Sequence, residues 1–354
     1  MLHDFSPFVI QFTESLGIRW YGLSYLAGFF CAYVFIIWIS RRQRLGLNVE
    51  LTGDFVTTAA VGILIGGRLG YCLFYSPSLF IQFKASFPFW GVLAINEGGM
   101  SSHGGMIGLV SAIFFYSWKT GLSTLYLLDL AAITGPIGIF FGRIANFING
   151  ELVGREAGSH FQFAVKFPQD ILNWPQYELS SLGKLGDVMD HIPGVGKSEW
   201  LNWVDQFRTN PEIHDKVQSA LSEVLVQIQS GNQSIKTLIE PLLIPRYPSQ
   251  IFEACGEGLF LFLLLFIIWY KPRRPGVVGS LFLVFYSIAR IIGERYRLPD
   301  LNIGFDFLDL TRGQILSIVM LTIGLWLLFF FSRRVTLPEP GWGLGQSVRI
   351  HRRI

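Results

Sequence analysis

The chain has 354 residues, of which 51% are hydrophobic, 15% aromatic and only 15% charged, a balance too apolar for a water-soluble globular protein and suited to one that crosses a bilayer. The formal net charge of +3, with no long Lys/Arg run, gives no footprint for nucleic acid. Three cysteines, Cys31, Cys72 and Cys255, lie far apart in apolar stretches, which excludes a disulfide framework and a paired-cysteine metal or redox site.

The first 20 residues, "MLHDFSPFVIQFTESLGIRW", have neither a basic n-region nor a small-residue cleavage site, so they are expected to be retained. A membrane-spanning helix needs about 20 largely apolar residues. That window predicts seven spans, near residues 20–39, 54–75, 102–118, 124–146, 251–270, 276–293 and 314–331. The second is Gly-rich in "VGILIGGRLG", which suits close helix packing in lipid. The third is the weakest, because it opens with the polar "MSSHGG".

Basic residues in short loops stay in the cytoplasm. "SRRQR" follows span 1, Lys119 span 3, "KPRRPG" span 5, and "SRRV" with "RIHRRI" span 7. All four fall on one side, which places the N-terminus outside and the C-terminus inside. The long polar segment between spans 4 and 5 is then external. Within it, "GKLGDVMDHIPGVGKSEWLNW" predicts loop, and "PEIHDKVQSALSEVLVQIQSG" predicts an amphipathic helix with Val217, Leu221, Leu225 and Ile228 on its apolar face. Gly231 and Asn232 are expected to end it. The expected fold is therefore all-α and polytopic, with about seven transmembrane helices. Residues 1–167 carry spans 1–4, 168–242 form a periplasmic insertion, 243–335 carry spans 5–7, and 336–354 are a basic cytoplasmic tail near anionic lipid.

Three arginines break the basic-loop rule: Arg68, Arg143 and Arg290. Each falls in the outer half of an even-numbered span, so all three are expected to aim at one outer-leaflet region. A charge at that depth survives by facing the bundle interior with a partner. Arginines that outnumber the acids around them favour an anionic ligand, and the guanidinium fork suits phosphate. Lipid head groups are the most abundant phosphates there. His103 stands among glycines at the outer end of span 3. Arg143 and Asn146 share a helix face, and "NGE", Asn149 to Glu151, forms the following turn, with a helix cap at Asn149 or Gly150. Tyr286, Arg290 and Glu294 follow one another at four-residue steps, and Glu294 can neutralise Arg290.

"RWYGLSYLAGF", "GGRLGYCLFY", "EGGMSSHGGMIG", "GRIANFINGELVGR", "YPSQIFEA" and "YSIARIIGERYRLPD" occur in this order and resemble the bacterial prolipoprotein diacylglyceryl transferases. The resemblance covers roughly residues 18–165 and 245–331. It implies a multi-pass enzyme of the bacterial inner membrane, with its active site toward the periplasm and no metal or soluble cofactor. Its partners would be phosphatidylglycerol, the lipobox segment of a preprolipoprotein, and membrane lipid. The diacylglyceryl group would move to the lipobox cysteine thiol as a thioether, with release of glycerol phosphate. By motif, the resemblance implies Arg143 and Arg290 on the phosphate, with Asn146, Glu151 and Gly154 at the head group. It implies Tyr21, Tyr286 and Glu294 as further substrate-side residues, Arg68 as a motif residue, and His103 as general base or orienting group. The external segment is longer than the family leads one to expect.

Two other classes fit less well. A lipid or anion transporter would show paired halves with polar groups on both sides of the midplane. An intramembrane hydrolase would need a nucleophile elbow or an aspartate pair, and "GLVSAI", "GQILSI" and the solitary Asp129 supply neither.

Overall fold

The computed structural model describes every residue except 13–16, 44–46, 86–87, 96–97, 159, 300–304, 308–309 and 344–354. The "RIHRRI" end of the predicted basic tail, Glu97 and Asp300 therefore lie outside the described residues.

Each of the seven predicted spans is helical: α1 is Trp20–Gln43, α2 Val49–Phe74, α3 Ser102–Thr120 and α4 Thr124–Asn149, followed by helices Ser249–Ile268, Val277–Gly293 and Arg312–Arg333. Among the described residues, five of these are long and apolar enough to cross a membrane, and Val277–Gly293 is apolar but shorter. The 19-residue α3 is not among the five. Strands are confined to three antiparallel pairs of short strands among the described residues. The chain is an all-α, multi-pass membrane protein.

The helix ends follow local chemistry. Asn48 accepts from the Leu51 amide at the start of α2, and Ser101 accepts from the Gly104 amide at the start of α3. Gly121 ends α3 at φ +71°, a conformation that needs no Cβ. The Ser249–Ile268 helix is interrupted by a π-helical stretch, Ala254–Phe260, a device common at functional sites.

Contacts within the chain define two compact units. One comprises Leu26–Gly138, Leu259–Ser287 and Val319–Ile354. Its core holds Ile36, Ile39, Phe55, Ile113, Leu127, Leu130, Leu265 and Trp269. Here α2 and α3 meet glycine to glycine: a Cβ on Gly108 would lie 2.0 Å from the Gly62 carbonyl oxygen, and one on Gly104 would lie 2.3 Å from that of Gly66. With no hydrophobic drive between helices in lipid, this close backbone approach supplies the packing. Buried Asp129 accepts from the Gly276 amide at 2.7 Å and the Gly279 amide at 2.6 Å. It thereby satisfies two amides at the start of the Val277–Gly293 helix, which have no intrahelical partner. Trp342, early in the tail, stacks on Phe266 at 4.2 Å and donates to the Phe266 carbonyl at 2.7 Å.

The other unit comprises Met1–Tyr25, Ile139–Gly258 and Ile288–Ile318. It contains an apolar core that runs through residues 171–243 and includes Trp174, Leu182, Met189, Trp200, Val217, Leu221, Val224 and Ile228. The amphipathic helix is Pro211–Gln229, with Val217, Leu221, Leu225 and Ile228 buried, and Gly231 follows it at φ +93°. The loop expected over residues 183–203 is instead largely helical, with Gly186–Met189 and Lys197–Gln206 as helices. The glycines and Pro193 punctuate only the middle of that stretch. Trp200 is wholly buried and donates to the Leu182 carbonyl at 2.8 Å, which anchors the second helix. The N-terminus joins the same unit. Buried His3 bonds the Phe147 carbonyl at 2.6 Å, and the Lys236 ammonium meets Asp4 at 2.6 Å. Burial pushes the His3 pKa below the ordinary histidine value, against a smaller opposing effect of that carbonyl.

Candidate active site

The "GRIANFINGE" turn is built by helix termination. Gly150 sits at φ +68°, its amide donates to the Phe147 carbonyl at 3.0 Å, and the Glu151 amide donates to the Asn146 carbonyl at 3.0 Å. These two bonds are the paired closure of a Schellman motif, which confirms the cap expected at this point. The turn holds Glu151 beside the last turn of α4. There Asn146 Nδ2 donates to Tyr21 Oη, and Tyr21 Oη donates to Glu151 Oε2 at 3.1 Å. Three predicted residues thus form one hydrogen-bonded chain.

The segment after the turn is held from both sides. Gln250 donates to the Glu151 carbonyl at 2.6 Å, Ser249 to the Leu152 carbonyl at 3.1 Å, and Arg246 to the Gly154 carbonyl at 3.2 Å. Arg246 is itself paired with buried Asp170 at 2.6 Å. Leu152 is left at φ +54°, a conformation of order 1 kcal/mol or more above the ordinary wells for a residue with a side chain. Gly154 has no space for a Cβ, which would lie 2.1 Å from the Tyr247 carbonyl oxygen. Its placement explains the glycine through packing.

Arg143 and Arg290 do come together, with two acids that sequence reasoning missed. Arg143 Nε is 3.1 Å from Glu253 Oε2, and its Nη2 is 3.2 Å from Glu257 Oε2. Arg290 Nη1 is 2.8 Å from Glu253 Oε1 and 3.3 Å from Glu257 Oε1. Each carboxylate therefore touches both guanidinium groups, and the four side chains close a ring. Arg290 Nη2 also pairs with Glu294 at 2.9 Å, as expected from their spacing, and Thr311 donates to the second Glu294 oxygen at 3.1 Å.

The expectation that arginines outnumber nearby acids is corrected here, because three carboxylates, Glu253, Glu257 and Glu294, lie against Arg143 and Arg290. The signal was present: two glutamates four residues apart inside an apolar span are costly in lipid and need cations. Small residues make the room, since a Cβ on Gly293 would stand 3.4 Å from Glu257 Oε1 and one on Gly313 3.0 Å from the Glu294 carboxyl.

Arg68, His103 and Tyr286 belong to the unit built from residues 26–138, 259–287 and 319–354. Arg68 is only 4% exposed, and its guanidinium donates to backbone carbonyls of the segment before α3. Nε bonds Val92 and Nη2 bonds Gly91, each at 2.7 Å, while Nη1 bonds Gly98 and Gly99. The arginine thereby organises the stretch that leads into His103. His103 lies exposed in the first turn of α3, after the Ser101 cap. Tyr286 stacks on Phe282 at 5.6 Å.

Lysine at position 68 presents one nitrogen and cannot span these carbonyls. Arg68→Lys is expected to cost on the order of 3 kcal/mol, since a hydrogen bond to a charged group contributes about 1.5–3 kcal/mol. A thermal melt in detergent checks this, and an unchanged midpoint would refute the clamp.

The family described as prolipoprotein diacylglyceryl transferase matches residues 7–330. A phosphatidylglycerol–prolipoprotein diacylglyceryl transferase of Bdellovibrio bacteriovorus is 52% identical over 353 residues, which is 100% of both chains. The like-named proteins of Azospirillum brasilense and Neisseria gonorrhoeae are 35% and 34% identical, over 90% and 91% of this chain and 91% and 94% of their own. A family match over nearly the whole chain, joined to full-length relatives and to the motif residues gathered around Arg143, shows that this chain belongs to the prolipoprotein diacylglyceryl transferase family.

Proposed function

We propose that the chain takes phosphatidylglycerol as donor and the lipobox cysteine of a preprolipoprotein as acceptor, and that Arg143 and Arg290 hold the lipid phosphate during transfer. The observation that carries this is the pairing of the two arginines in one side-chain ring, beside the Tyr21–Asn146–Glu151 chain. The cysteine sulfur attacks the glycerol carbon that bears the phosphate oxygen. A C–S bond forms, the C–O bond breaks, and glycerol phosphate leaves with the electron pair. The arginines stabilise the charge that grows on that oxygen. Asn146, Glu151 and Tyr21 contact the glycerol head group, which is rich in hydroxyls and suits a donor–acceptor chain. Gly154 lets the segment after the Glu151 turn close against Tyr247, Glu294 steadies Arg290, and Tyr286 flanks the lipid. His103 takes the thiol proton, because the thiolate is the nucleophile. Arg68 acts on the segment before His103.

The asymmetry of basic loops supports an inner-membrane location with the transfer chemistry on the periplasmic side. On that topology, residues 168–242 form a periplasmic insertion, and the tail from residue 336 faces the cytoplasm.

Purified protein in nanodiscs should move labelled diacylglycerol from phosphatidylglycerol to a lipobox peptide, and should fail with the cysteine replaced by serine. Label on the serine peptide, or none on either peptide with folded protein, would refute the proposal.

A further inference from the structure

Glu253 and Glu257 have no part in the transfer chemistry itself, yet each is only 1% exposed. Burying two carboxylates is costly unless each is paired and hydrogen-bonded, so their placement needs a reason. Each gives one oxygen to Arg143 and the other to Arg290, at 2.8–3.3 Å. The two guanidinium groups are thus locked in one frame whose formal charge is zero. Arg290 carries Glu294 as well at 2.9 Å, and Arg297 approaches Glu253 at 4.0 Å.

The chemistry of the phosphate gives this neutrality a consequence. The donor lipid is a phosphodiester with one negative charge, whereas the released glycerol phosphate is a monoester, with about −1.5 to −2 at neutral pH and a second pKa near 6. In a site of low dielectric, an uncompensated arginine pair would hold the more highly charged product more tightly than the substrate. The geometry points to Glu253 and Glu257 as positioning residues that act through the arginines: they fix both guanidinium groups for the diester and offset the charge that would otherwise retain the monoester. This rests on the assignment of Arg143 and Arg290 to the phosphate.

The test uses full-length Glu253→Gln and Glu257→Gln enzymes in nanodiscs, with transfer to a lipobox peptide and inhibition by added glycerol 1-phosphate. Removing one nearby negative charge should lower the inhibition constant by about tenfold or more. The KM for phosphatidylglycerol and kcat should both fall. The inhibition should grow above about pH 6, where the monoester gains its second charge. Because both glutamates bridge the same arginines, either variant suffices if the other does not fold.

A fall in kcat with the inhibition constant within twofold of wild type would reduce the glutamates to scaffold and overturn the proposal. If wild type transfers label but neither it nor the variants are inhibited, the arginines are not the phosphate site and the counterweight falls, while the transferase activity stands. If wild type transfers nothing, the parent proposal fails first.

Discussion

Arg143→Ala is expected to reduce transfer by about a hundred- to a thousandfold, the range found when one preorganised donor to a developing oxyanion is removed. The same change takes a cation from both Glu253 and Glu257. Breaking a buried pair by removing one partner costs about 3–5 kcal/mol, so the variant should also melt earlier. The two effects are separable. In Arg143→Ala/Glu257→Gln, one of the orphaned charges is gone, and the melting midpoint should recover a large part of its loss. Transfer should not recover, because Arg290 alone is left to meet the leaving oxygen. Kinetics and thermal melts of the single and double variants check this. Restored transfer in the double variant would show that Arg143 serves only to pair its glutamates.

His103→Gln should lower kcat by about a hundred- to ten-thousandfold, the usual contribution of a positioned general base, while the KM for the lipid changes little. The pH profile tells what the imidazole does. A cysteine thiol has a pKa of about 8.5, so at alkaline pH the peptide supplies its own thiolate. The deficit of the variant should therefore shrink as pH rises through about 8 to 9. A deficit of constant size across that range would mean that His103 orients the peptide and that the proton leaves by another route. Exposure of His103 in the first turn of α3 leaves its ring open to a substrate thiol.

Much of the protein was legible from the chain alone, because the bilayer imposes strong one-dimensional rules. Apolar runs of about 20 residues located the helices of the seven predicted spans, Gly150 and Gly231 marked helix ends, and the four-residue apolar spacing located Pro211–Gln229. The Arg290–Glu294 pair could be read because i and i+4 lie on one helical face whatever the tertiary fold. The loop forecast over residues 183–203 erred for a related reason: glycine and proline are strong local signals, but the burial of Trp200 that holds the Lys197–Gln206 helix is a distant contact.

The site divides in the same way. Local spacing could place Arg143 with Asn146 and could mark the Glu151 turn. It could not show that Glu253 and Glu257, more than a hundred residues onward, close the ring around Arg143. Nor could it show that the donors of Arg68 go to the carbonyls of Gly91, Val92, Gly98 and Gly99. The sequence by itself determined which residues are charged, how deep in an apolar run they lie and which share a helix face. Only the tertiary structure decided which charges neutralise one another, since the partner of a buried ion is set by three-dimensional packing, and the cost of leaving it unpaired is what makes that choice matter.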